Sequence, residues 1–218
     1  MFGSVFKPYG LVWNIMDTVT DVLGLSLLWV VCSLPIVTIG AATTALYDAV
    51  VHGIRYKEGS AYRRFLRTFR AEWKPGLLST VLWGAILLLC GYVMSVLLYL
   101  GQADSRIALT AGVYFCFLLL PIGTACWSSA ILSRFAFSFG QLSAMAFRFT
   151  LSYLPSTAAI ALSTLGMIWF TVNYWLPVFF APAVTMLIWS LFAERIFRKY
   201  GGGLDRPAEN EDASPAGE

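Results

Sequence analysis

From Phe149 to Ala193 the chain contains no Asp, Glu, Lys or Arg. A water-soluble fold has nothing with which to cover so long an uncharged run, whereas ~20 apolar residues are what one bilayer crossing needs. The stretches 76–100 and 107–133 are uncharged as well. Charged residues make up 12% of the 218 residues, about half the fraction usual for a soluble domain. Helices satisfy their own backbone hydrogen bonds in hydrocarbon. The sequence therefore predicts an all-α, polytopic helical membrane bundle.

The spans are expected at about 22–51, 76–100, 107–133, 155–171 and 177–194. The first is longer than a straight crossing needs and is interrupted by Pro35 and Gly40, so it is read as one broken span. Splitting it at Pro35 gives a six-span alternative. Pro121 and Gly123 interrupt the third span in the same way. Residues 1–21, rich in aromatics, are expected to lie at headgroup level. No cleavable leader is evident, so the first apolar stretch is expected to stay in the mature protein. Residues 22–200 form one membrane-embedded domain. The acidic tail, residues 201–218, is rich in Gly, Pro and Ala and is expected to be disordered and cytoplasmic.

Two stretches between spans have helical periodicity. After Ser60, a plausible N-cap, Tyr62, Phe65, Leu66, Phe69 and Trp73 share one face, while Arg63, Arg67, Arg70 and Lys74 take the other. This predicts an interfacial helix whose basic side meets lipid headgroups or a partner protein. Leu142, Met145, Ala146, Phe149 and Tyr153 repeat the spacing 80 residues later, and Pro155 follows as Pro75 does. Pro35-Ile36-Val37-Thr38 likewise matches Pro121-Ile122-Gly123-Thr124. The chain is read as a duplication with units at about 22–100 and 107–171, followed by the last span.

Charge sets the expected orientation. Thirteen of the fifteen Lys and Arg residues fall in 52–75, 134–154 or after the last span, which places that side and the C-terminus in the cytoplasm. Basic residues interleaved with large apolar ones at helical spacing make nucleic-acid binding a poor reading. The four cysteines form no Cys-x-x-Cys pair and there is one histidine, so no metal site or cofactor is indicated. Asp48 and His52, four apart on one helix face, could pair as acid and base, but they also suit a polar boundary pair.

Leu27-Leu28-Trp29 with Ser33 through Tyr47 resembles the signature of the YesL family of bacterial integral membrane proteins, a family of unknown biochemical function. The likeness continues through Asp21, Gly59 to Pro75, Arg134-Phe135, Phe139 to Leu142, Leu154-Pro155 and Glu194 to Tyr200. Ser26, where the family pattern has Asn, and the long acidic tail depart from it. The resemblance implies a bacterial plasma-membrane protein linked to carbohydrate uptake, and it names no catalytic residue.

Three functions are open at this point. The first is an accessory or regulatory component that docks to a sugar-uptake transporter or sensor complex, without enzymatic activity. The second is a small-solute transporter or channel, with Pro35, Thr38, Gly40, Pro121, Gly123 and Thr124 lining the path. Against it, mid-membrane carboxylates for ion coupling are nearly absent. The third, least favoured, is an intramembrane enzyme.

Overall fold

A computed structural model describes residues 11–56, 59–102, 105–134, 139–174 and 176–200. Residues 1–10 of the expected interfacial segment and the whole acidic tail lie outside the described residues. The described chain is helical, with no strand among the described residues: α1 (Leu11–Ser33), α2 (Ile39–Ala49), α3 (Ala61–Ala71), α4 (Trp73–Gly101), α5 (Ser105–Arg134), α6 (Phe139–Ser152), α7 (Leu154–Asn173) and α8 (Ala181–Tyr200). Five helical stretches are long and apolar enough to cross a membrane: 16–33, 36–55, 73–100, 105–134 and 154–173. The last helix, α8, is as long as α7 but carries Glu194, Arg195, Arg198 and Lys199 in its second half.

The first apolar region is two helices rather than one kinked span. Pro35 has no N–H to continue α1 and restricts the residue before it. The chain passes through a short 3-10 turn, Ile36–Thr38, before α2 begins. The Thr38 hydroxyl proton is shared between the carbonyls of Cys32 and Pro35, both at 2.6 Å, and the Cys32 carbonyl is one of the acceptors that the end of α1 leaves open. Trp29 Nε1 donates to Thr43 Oγ1 across the turn at 3.3 Å, which closes an antiparallel hairpin. Tyr62, at the start of α3, reaches back to the Thr20 carbonyl in the first half of α1. Tyr56 meets Glu194 near the end of α8. The start of α1 and the end of α8 therefore lie at the same end of the bundle, as in the six-span alternative.

Pro121 has the opposite outcome, because α5 runs through it without interruption. The Thr three residues after the proline again supplies a hydroxyl: Thr124 Oγ1 donates to the Leu120 carbonyl at 2.8 Å. Threonine hydroxyls and neighbouring helices are the usual means by which a proline is carried inside a membrane helix.

The two halves of the chain pack in similar ways. The central helix α2 packs on α3 and α4 as α5 packs on α6 and α7, and the halves meet where α2 and α4 touch α5. At the α2–α4 crossing the Gly40 N–H donates to Thr80 Oγ1 at 2.8 Å. A Cβ on Gly40 would lie 2.6 Å from the Gly76 carbonyl oxygen. Gly40→Val is therefore expected to force the helices apart and to cost about 1–3 kcal/mol in thermal or denaturant unfolding in detergent. Gly84→Ala, with nothing within 4 Å, should leave stability unchanged or slightly raised.

Burial is concentrated at the basic end. The core joins Leu25 of α1, residues 45–51 at the end of α2 and just past it, the second half of α5, and parts of α3, α6, α7 and α8. Trp127 stacks on Phe149 at 5.6 Å and meets Phe197 edge-on at 6.0 Å, joining α5, α6 and α8. By contrast, none of the most apolar window of α4 is buried.

Candidate functional site: two buried carboxylates

Three carboxylates are buried among the described residues, Asp48 at 5%, Glu194 at 3% and Glu72 at 6% exposure, and the first two hold the partners that join helices at the basic end. A buried charge is tolerated only when paired and hydrogen-bonded, so their partners define the site.

Asp48 sits near the end of α2. Its Oδ1 faces His52 Nδ1 at 3.0 Å. Its Oδ2 accepts from Arg64 Nε at 3.1 Å and Thr68 Oγ1 at 2.6 Å. His52 Nδ1 also faces the Asp48 carbonyl oxygen at 3.3 Å, and two acceptors around one ring nitrogen place the hydrogen there. Arg64 and Thr68 belong to α3, so Asp48 latches α3 onto α2.

The stripe by which α3 meets the core is Ala61, Phe65, Thr68 and, just past its end, Glu72, offset from the apolar face expected to lie on the membrane. Tyr62 and Phe69 are half-buried, and Leu66 and Trp73 are exposed beside the basic stripe. The second copy, α6, turns Leu142, Ala146 and Phe149 of its apolar face into the protein core. The difference lies in what the central helix presents: hydroxyls and an indole in the second repeat, a carboxylate in the first. Thr150 Oγ1 donates to Thr124 Oγ1 at 3.1 Å, and Trp127 Nε1 donates to Thr157 Oγ1 at 3.0 Å.

Glu194 collects donors from three parts of the chain. Arg134 Nη2 reaches Oε1 at 2.6 Å, the Tyr47 hydroxyl reaches the same oxygen at 3.3 Å, and the Tyr56 hydroxyl reaches Oε2 at 2.9 Å. Arg55 Nη1 donates to Ser190 Oγ one turn earlier in α8, at 2.9 Å. At about 100° per residue, Tyr47 and Tyr56 would face opposite ways on an uninterrupted α-helix. The end of this helix is a wide turn, Val50–Arg55, in which Tyr56 N–H donates to the Val51 carbonyl five residues back at 3.0 Å. Such a turn rotates less per residue and brings Tyr56 round to the side of Tyr47. Arg134 stands thirteen residues after Pro121, as Asp48 stands thirteen after Pro35. Equivalent positions in the two repeats thus carry opposite charges, each tied to a neighbouring helix.

The proline motifs are closed by their own repeats. Pro35 is exposed at the hairpin tip, Thr38 bonds to backbone there, and Gly40 lies against Gly76 and Thr80. Half-buried Pro121 is inside α5, Thr124 bonds to Leu120 and Thr150, and Gly123 lies against the Thr157 side chain. Arg63, Arg67, Arg70 and Lys74 are exposed as expected. Glu194, Arg134, Arg64, Tyr47 and Tyr56 went unrecognised in the sequence. The available signal was charge or phenol at the ends of otherwise apolar helices, which also suits a simple membrane boundary.

These features describe an integral membrane protein built as an all-α bundle. The family model described as "Protein of unknown function, DUF624" matches residues 22–96, which run from α1 into α4. No curated protein and no solved structure matches the chain.

Proposed function

We propose that this chain is a non-enzymatic accessory or regulatory component of the bacterial plasma membrane, docking to a carbohydrate-uptake transporter or sensor with its basic end in the cytoplasm. The observation that carries the reading is the stripe Arg63, Arg67, Arg70 and Lys74. It is exposed along one flank of α3 and into the first turn of α4, and none of the four makes an ion pair or hydrogen bond among the described residues. The titratable groups of the core are otherwise engaged. Asp48 and Glu194 each take three donors, an arrangement that ties helices together and leaves neither carboxylate free for acid–base work. The packing around Gly40 and Gly123 weighs against a solute path through those positions. The sidedness rests on the distribution of Lys and Arg, and the carbohydrate link rests on the family resemblance alone.

Gentle solubilisation from native membranes should recover a transporter or sensor subunit with this protein. Arg63→Glu combined with Arg67→Glu should abolish that recovery while the bundle remains inserted, since both side chains are exposed. A protein that purifies alone and carries labelled sugar into liposomes would replace this reading with transport.

A further inference from the structure

We propose that the notch between α3 and α4, lined by Arg70, Ala71, Trp73, Lys74 and Pro75, binds the phosphate of an anionic phospholipid headgroup. This goes beyond docking to a protein partner and concerns the opposite end of the basic stripe from Arg63.

Depth is the first argument. No residue of the most apolar window of α4 is fully buried by protein, so the side of α4 turned away from α2 and α5 meets acyl chains. The helix has 29 residues and is about 43 Å long, against a hydrocarbon core of ~30 Å. Its polar first turn, Trp73-Lys74-Pro75, therefore extends towards the headgroups. Trp73, at 52% exposure, is the side chain that favours that level, with its ring towards the chains and its N–H towards water.

Charge is the second. Arg70 and Lys74, four residues apart, are exposed on one side of the notch. A guanidinium binds phosphate through paired N–H donors, and an ammonium adds a mobile point charge. The acid between them, Glu72, is turned into the core at 6% exposure, so its carboxylate is held away from the notch. The chain bends at that residue, where φ is −100° and ψ is 17°. That bend separates the end of α3 from the start of α4.

The duplication supplies an internal control. At the 80-residue offset, Arg70 corresponds to Thr150 and Lys74 to Leu154. The second repeat keeps the proline but lacks both cations, so one headgroup site per chain is expected.

The test is lipid retention by the full-length protein in nanodiscs of phosphatidylcholine with a minor share of phosphatidylglycerol, read by native mass spectrometry. One phosphatidylglycerol should be held in preference to phosphatidylcholine. Arg70→Gln with Lys74→Gln should lower that preference at least about tenfold, since each basic residue near a membrane surface contributes ~1 kcal/mol. Thermal unfolding should be unchanged in the double variant, and Arg195→Gln, an exposed cation on α8, should retain the lipid. Equal retention by the native and doubly substituted proteins overturns the proposal. So does loss of the lipid to millimolar inorganic phosphate, which would make the notch a site for a soluble anion.

Discussion

Glu194→Ala should be among the most damaging single substitutions in the chain, lowering stability by about 3–5 kcal/mol in detergent unfolding. The substitution leaves the Arg134 guanidinium at 13% exposure without the carboxylate 2.6 Å away, and it strips the Tyr47 and Tyr56 hydroxyls of their acceptor. Most of that loss is the penalty of an uncompensated buried charge, not the intrinsic strength of the pair. Replacing both partners, Glu194→Leu with Arg134→Leu, should therefore recover a large part of the deficit. Glu194→Gln keeps an acceptor for Tyr56 and should fall between the two. A Glu194→Ala protein that unfolds within ~1 kcal/mol of the native one would mean that this carboxylate is not the tie described here.

Asp48→Ala should release α3. Its loss removes the shared acceptor of His52, Arg64 and Thr68. A destabilisation of about 3 kcal/mol is expected, with limited trypsinolysis at Arg63, Arg64 and Arg67 accelerated well before the remaining core opens. Arg64→Ala should cost far less, about 1 kcal/mol, because the Arg64 side chain is 35% exposed and its charge is already screened by solvent. If the two substitutions were equally costly, the latch would depend on Arg64 packing more than on the buried carboxylate.

The sequence made the class of fold legible for a simple physical reason. Lipid imposes one rule along every exposed face, and the uncharged runs obey it residue by residue. The duplication was also readable, because it rests on prolines and spacings that survive in the primary structure. The hairpin at Pro35 and the continuity at Pro121 were not separable, since both motifs place a threonine three residues after the proline. In one case the hydroxyl serves a helix that has ended, and in the other it braces a helix that continues. The side that α3 turns to the core was hidden for another reason. Apolar periodicity does not mark that side, because the core opposite α3 holds Asp48. The Glu194 cluster depends on Tyr47 and Tyr56 facing the same way, which no fixed helical period predicts across a wide turn.

The same cluster has a consequence for how the chain matures. Glu194 lies 147 residues after Tyr47 and 60 after Arg134. A chain that emerges from its N-terminus commits the first repeat to the membrane long before the last helix exists. Until α8 arrives, the carboxylate that Arg134, Tyr47 and Tyr56 share is missing from the assembling core. The final helix thus acts as a keystone: truncation ahead of Glu194 would leave an inserted but unfinished bundle, lacking the group that ties both α5 and the end of the α2 segment to α8.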